Sequence, residues 1–591
     1  IMAGNAFTAY ESYFSQVPEV GVRRSRVSTP STVDMDMNFG KLYPIYVQEV
    51  LPGMSQKIDL GSLVRMATPL FPVMDQSYLD LFAFYCPNRL VWNHWEQFCG
   101  RNDDAEFSFD NSYSVPFLSS PDSSFPMMNT HNSIFDYMGL PVSIPVLDDG
   151  GNITDFEYVS LDGASQALPY RAYVTIWNEW FRDQNTTPAI RLNLGDDDSL
   201  NAYIDGDPTK GYLYRLLPVA KLHDRFTSAL PSPQRGDAAS LVFNGGLAPV
   251  MTISVNDYDN FGVDSTYALR GITKETSGNG NVAYPYNGSL LGLASSGSAV
   301  DGQSYNVVDA YTGSTGVGDG VALYGFNLAA DVSKSTIATV NQLRQAVAVQ
   351  HMLETMARSG NRYTEFLKAF FNVTAPDARL QRPELLSHLR YDIAMQQVIQ
   401  TSFEGGSDNT TPLGSTGAYS KTVNFNHFFE KSYVEHGFVM ILACARTALT
   451  YQQGLERQFT RKSFTDYFLK PFENIGEMPV YNREIFFQNR PEDDEVFGYQ
   501  EAWSEYRVKN SRVAGSFRSD HPQSLDAWHY AQYFKTLPRL STDFMNQPAD
   551  VVSRTLAVQD SDAPQLICNF FFKEERTLPM QVYSIPGLDR L

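Results

Sequence analysis

A chain of 591 residues exceeds the usual ceiling of one compact core, so several domains, or one domain with large insertions, are expected. Charged residues are only 19%, aromatics reach 13%, and the formal net charge is −21. That balance excludes a protein that coats nucleic acid by overall electrostatics, confines any nucleic-acid contact to local basic groups, and suggests extensive contact surfaces.

Residues 1–40 are polar and irregular and read as an N-terminal arm with a small basic knot at Arg23, Arg24 and Arg26. From residue 41 onward short apolar runs alternate with turns marked by Pro and Gly, beginning with YPIYVQEVLPG at 43–53, which is all-β punctuation. The stretch 67–98 holds eight aromatic side chains and no evident catalytic group. Within it Leu79, Leu81, Ala83 and Tyr85 share one strand face, and Tyr78, Phe82 and Phe84 share the other with Asp80. Pro87 ends the strand, Asn88 is placed to cap the next turn, and Val91, Trp95 and Phe98 recur at helical spacing. These aromatics are packing groups, for a core or an interface.

A helix is expected over YRAYVTIWNEWFRDQ at 170–184, with Tyr173, Trp177, Trp180 and Phe181 along one side. Between 241 and 330 fall fifteen of the forty glycines, with many Ser, Asn and Tyr, a composition for a long surface insertion of loops and weak strands. A second helix begins near Ser335, with Ile337, Val340, Leu343 and Val347 in phase and Gly360 as its stop. Strand texture then returns, and the last residues, LPMQVYSIPGLDRL, run extended and bind across a surface. On this reading the chain divides into an arm (1–40), a first β part (41–236), a surface insertion (237–335), a helical segment with the remaining strands (336–580) and an extended tail (581–591).

Chemistry is sparse. No phosphate-binding Gly-rich loop and no H-E-x-x-H occur, and His521 and His529 match no common metal spacing. The pair His223 and Asp224 resembles a base with its orienting carboxylate, but neighbours on a strand point to opposite faces. Asp196, Asp197, Asp198, Asp205 and Asp207 offer oxygen ligands without EF-hand spacing, and a solvated acidic loop is the simpler reading. Cys86, Cys99, Cys444 and Cys568 form neither a zinc site nor a disulfide framework, so a reducing interior at folding is expected. The longest apolar run, GFVMILACA at 437–445, is too short to span a bilayer, no signal peptide is visible, and a soluble protein is expected. The sequons at Asn152, Asn185, Asn287, Asn372 and Asn409 are chance matches in that setting. No catalytic residue, metal or cofactor is expected.

Several blocks taken together closely resemble the major capsid proteins of the Microviridae, in the gokushovirus-like branch. They include FSQVPEVGVRRSR (14–26), LVRMATPLFPVMDQSYLDLFAFYCPNRLVWNHWEQF (63–98), LPYRAYVTIWNEWFRDQN (168–185) and KLHDRFTSALPSPQRG (221–236). TVNQLRQA (339–346), PDARLQRPE (376–384), LTYQQGLERQF (449–459), EVFGYQEAWSEYRVKNSRVAGSFRS (495–519) and the terminal QVYSIPGLDRL continue the series. The resemblance implies an eight-stranded viral jelly-roll β-sandwich with large, partly helical inter-strand insertions. It further implies sixty copies closing into a T=1 icosahedral shell around circular single-stranded DNA, built in the host bacterial cytoplasm. A departure is ELLSHLRYDIAMQQVIQTS at 384–402, where a more Gly-rich stretch is the family expectation.

Three sets of contacts are expected in such a shell. Arg23, Arg24 and Arg26 face the DNA, helped by a small basic internal protein and by polyamines or divalent cations. Tyr284, Tyr286, Tyr305 and Tyr311 recognise a host surface receptor from a threefold protrusion. Tyr583, Ile585 and Leu588 bury against the sandwich or a neighbouring subunit. The rival reading is a polysaccharide-binding or polysaccharide-active β-sandwich, which predicts a monomer or small oligomer with a cleft lined by paired carboxylates.

Overall fold

The computed structural model describes residues 22–101, 112–121, 124–148, 153–237, 340–402, 413–558 and 563–583, and the backbone of four short strands between 250 and 330. Two compact units are present, one from 1–235 with 354–591 and the other from 236–353. The first unit holds strands β1 (Ser25–Met37), β2 (Tyr43–Val50), β3 (Ser55–Met66) and β4 (Ser77–Pro87), then short helices α1 (Trp95–Phe98) and α2 (Ile134–Tyr137). A hairpin of β5 (Ser143–Leu147) and β6 (Ile153–Tyr158) precedes helix α3 (Leu168–Ile176). The second unit contains β7 (Val250–Thr252) paired with β10 (Leu328–Ala330), β8 (Glu275–Thr276) paired with β9 (Val282–Ala283), and the start of helix α4 (Val340–Ser359). Helix α5 (Tyr363–Phe371) follows, then β11 (Glu384–Asp392), β12 (Met395–Ile399), β13 (Thr416–Ser420), β14 (Thr422–Ser432) and β15 (Gly437–Thr447). A long section of turns carries the pair β16 (Glu477–Tyr481) and β17 (Val496–Glu501), and β18 (Leu566–Leu578) closes the fold.

Eight of these strands make two antiparallel four-stranded sheets, ordered β1-β18-β3-β14 and β11-β4-β15-β2. They form a β-sandwich. Ile58, Leu60 and Val64 of β3 and Phe570 and Phe572 of β18 share one buried core with Leu79, Leu81 and Ala83 of β4 and Val439 and Ile441 of β15. Alternation puts these residues on the inner faces, as period two requires.

The second sheet is buried on its other face as well. Phe84 and Cys86 of β4 and Phe438, Met440 and Leu442 of β15 point into a second core, which Tyr173 and Val174 on α3 and Trp177 just after it complete. That explains why GFVMILACA is apolar without a break: β15 is central and covered on both sides. Helix α3 runs on into a π-turn at Trp177–Phe181, which keeps Trp180 and Phe181 against Phe82 and Phe84. A third, smaller core of Phe226, Tyr451, Ile485, Phe497 and Phe544 organises the turns after β15.

Several expectations are corrected. The arm is not irregular throughout, because residues 25–37 form β1, an edge strand paired along its whole length with β18. Pro30 lacks an amide donor, which only an edge strand tolerates. Asn88 caps nothing: Pro87 occupies that position and no side-chain cap bond is made. The stretch 384–402 forms β11 and β12. Helix α4 is described from Val340, the expected start near Ser335 lies outside the described residues, and Gly360 ends it at φ +100°, a conformation glycine alone adopts at little cost.

Candidate contact surfaces

Arg23 and Arg24 are exposed and lead into β1, and neither has an ion pair among the described residues. Arg26 is an outward residue of β1 that pairs with Glu575 on β18, and the guanidinium holds that carboxyl below its usual range. The basic knot therefore sits at one end of the β1 edge of the first sheet.

The outer face of that sheet is open to solvent, unlike that of its partner. Across it Asn569, Leu63 and Val423 form one row and Phe571, Gly61 and Phe425 the next. Val423, Phe425 and Ile567 are 63%, 55% and 58% exposed. A Cβ at Gly61 would lie 3.0 Å from Phe425 Cδ2, so glycine is what allows that ring to lie against the strand. Polar groups rim the patch, including His427 and Asp59 with Nδ1 to Oδ1 at 2.9 Å. Such a face can bury against another surface but holds no reacting constellation.

Two buried charge clusters join distant elements of the scaffold. Asp80 on β4 is fully buried and receives Arg390 Nε at 2.7 Å, Arg446 Nε at 2.9 Å and His388 Nε2 at 3.0 Å. Burial alone would raise its carboxyl, but the three partners hold it well below the usual carboxylate range. Asp198 accepts from Arg171 Nε at 2.8 Å, Asn201 Nδ2 at 2.8 Å and the Tyr214 hydroxyl at 2.9 Å, while burial pushes its carboxyl up. Arg171 also donates to the Gly195 carbonyl at 2.9 Å, so α3 is fastened to the loop before Asp198.

The acidic group at 196–207 is thus more than a solvated loop. Asp198 is a core anchor, Asp196 accepts from Trp92 Nε1 at 2.7 Å, and Asp197 and Asp207 accept the backbone amides of Ser199 and Thr209. Among the described residues no cluster of His, Cys, Asp and Glu could hold a metal ion. His223 and Asp224 lie in a loop, not on a strand. Asp224 caps the following turn by accepting from Phe226 and Thr227 amides, and His223 is exposed. His529 donates Nε2–H to the Phe517 carbonyl at 2.6 Å and packs in the interior, while His521 is exposed. All four cysteines are free, and only Cys99 is exposed.

Tyr583 is 80% exposed, so the expected burial against the chain's own sandwich does not occur, because the ring follows the end of β18 at Leu578, beyond the last residue paired in the sheet. Ile585 and Leu588 lie outside the described residues, as do Tyr284, Tyr286, Tyr305 and Tyr311. Sequence reasoning passed over two exposed apolar surfaces, the β5–β6 hairpin and the strip at 457–470. Each carries a legible signal, apolar residues at both parities of a strand in the first and aromatics interleaved with Lys and Arg in the second.

Among the described residues no helix is long and apolar enough to cross a membrane. The family model described as "Capsid protein (F protein)" matches residues 15–588. The chain is 36% identical to the capsid protein VP1 of Bdellovibrio phage phiMH2K, over 97% of each chain. It is 35% identical to the capsid proteins VP1 of Chlamydia phage 1 and of Spiroplasma virus 4, over 98% of each chain in both cases.

Proposed function

Because the chain belongs to the capsid protein (F protein) family, a family of structural proteins and not of enzymes, we propose that it is the major capsid protein of a microvirus-like single-stranded DNA phage. Sixty copies close into a T=1 shell that encloses circular single-stranded DNA, and the chain resides in the virion after assembly in the host bacterial cytoplasm. The observation that carries this reading is the strand order of the two sheets. Counting only the eight sandwich strands along the chain, the sheets run first, eighth, third, sixth and fifth, fourth, seventh, second, an order that supports the jelly-roll reading. The insertions then fall between strands, the largest between β4 and β11, where they leave the sandwich wall intact.

A shell of sixty such chains carries on the order of −1,260 formal charge, so DNA enclosure requires local cations. Arg23, Arg24 and Arg26 supply them from the end of the β1 edge, together with a small basic internal protein and polyamines or divalent cations. The insertion at 237–335 projects outward at the threefold axes and recognises the host, where length variation costs little. Three features support this share of roles: the exposed knot, the glycine-rich composition of the insertion and the uncovered sheet face. Light scattering and negative-stain microscopy of the purified protein test the proposal. Closed particles near 4 MDa are expected from roughly sixty chains of 66.3 kDa. A monomer or small oligomer under all ionic conditions would overturn it in favour of a β-sandwich that binds polysaccharide.

A further inference from the structure

The hairpin β5–β6 stands away from every core of the chain. Its base is tied down by Asn129 N–H to Val159 O and Val159 N–H to Val142 O, both at 2.9 Å, and Tyr158 meets the His131 ring edge-on. Beyond that base, every residue of β6 is exposed and neither face is covered. One face presents Leu147, Ile153 and Phe156, which are 57%, 58% and 62% exposed. The opposite face sets Asp155 beside Val146 and Glu157 beside Ile144. An isolated two-stranded hairpin is marginal in water, and a bare apolar face on it calls for a cover. The charge says what kind of cover. Residues 143–158 contain Asp148, Asp149, Asp155 and Glu157 and no Lys or Arg, which rules out a nucleic-acid phosphate backbone.

The same chain carries a surface of the opposite character. Residues 457–470 hold Arg457, Arg461, Lys462 and Lys470 against one carboxylate, Asp466; Arg457 and Arg461 are paired with Glu484 and Glu505, which leaves Lys462 and Lys470 as the outward charge. Phe459, Phe464 and Tyr467 are 67%, 77% and 52% exposed there. The Arg461 guanidinium, 4.4 Å from the Tyr506 ring centre and 5.4 Å from that of Tyr467, keeps this aromatic surface in place. Lys462 and Lys470 are exposed at its edge, and the pair Lys470 makes with Glu473 is a surface pair that competes weakly for the ammonium group.

We propose that the β5–β6 hairpin of one copy seats on the 457–470 strip of a neighbouring copy through the face that carries the exposed Ile144 and Val146, with Asp155 and Glu157 on that face meeting Lys462 and Lys470. The contact is heterologous: each copy gives a hairpin and receives one, so it closes only in a ring or shell, where it covers both surfaces in every subunit. It rests on the reading that the chain assembles with itself.

The test is charge reversal in the full-length protein. One variant carries Asp155→Lys and Glu157→Lys, a second Lys462→Glu and Lys470→Glu, and a third carries all four. Particle yield is read by sedimentation, folding of the unassembled subunit by circular dichroism, and DNA per particle by absorbance ratio. The first two variants are expected to fold and to lose at least tenfold in particle yield, and the third to recover most of it. In parent particles a carbodiimide, which activates a carboxylate for attack by an amine and leaves as the urea that carries the lost oxygen, should join Glu157 to Lys462 or Lys470 between copies. The proposal fails if either paired reversal assembles like the parent, or if all four changes together assemble no better than the halves. Normal yield with reduced DNA in the lysine variant would also overturn it and assign the strip to the genome. A parent protein that forms no particles would sink the capsid reading itself.

Discussion

Replacing Asp80 by Asn removes one buried negative charge from a position where two guanidinium groups and an imidazole converge. The carboxylate joins three strands, β4 through its own backbone, β11 through His388 and Arg390, and β15 through Arg446. Breaking a buried pair by removing one member costs about 3–5 kcal/mol, because the remaining charges stay desolvated. Here the cost belongs at the low end. The Arg390 and His388 side chains are each 39% exposed and can turn to water, whereas Arg446, at 14%, cannot. A loss of about 3 kcal/mol, divided by an unfolding entropy of roughly 1 kcal/mol/K for a unit of this size, lowers the melting midpoint by roughly 3 °C. The assay is thermal melting of unassembled subunits by near-ultraviolet circular dichroism at matched scan rate. The pH dependence has a definite sign. The folded carboxyl lies below its unfolded range, so its stabilisation is fully present above about pH 4 and fades as pH falls through the folded value. The gap between parent and variant should therefore be constant from pH 7 to about 5 and close in more acid solution. A variant that melts within a degree of the parent at pH 7, or a gap that widens in acid, would refute the reasoning.

Alkylation of the native subunit with iodoacetamide should modify one cysteine, Cys99, since burial pushes the Cys86, Cys444 and Cys568 thiols up to about 12; two or more modified cysteines by mass spectrometry would contradict this. Substituting Gln for Arg23, Arg24 and Arg26 together should lower DNA content per particle and particle survival at high salt, and unchanged values for both would remove the knot from genome contact. Replacing residues 245–328 by a short Gly-Ser linker should leave particles intact and abolish attachment to host cells, an expectation that full infectivity on the same host would defeat. Truncation after Met580 should reduce assembly, and normal particle yield would count against a subunit contact by the tail.

The elements legible in the sequence are those whose periodicity is strong and local. Alternation along residues 79–85 separates the two faces of β4 correctly, since a strand between two apolar layers must divide its side chains by parity. Helical spacing likewise finds α3, and Gly360 marks the end of α4 because that position needs a positive φ. Strand β1 escapes notice. Its outward residues are Arg, Ser, Pro, Thr and Asp, and what makes it a strand is pairing with β18, more than five hundred residues away. The same separation hides the role of Asp80, whose partners lie 308, 310 and 366 residues along the chain. Asp198 looks like one of five equivalent carboxylates until packing places it, and not its neighbours, against Arg171. Sequence by itself determined the class, the covered strands and the family likeness, all of which depend on residue type at short spacing. Tertiary structure alone decided which charges are buried, which sheet face is bare and which apolar surfaces await a partner, because exposure depends on what distant segments bring alongside.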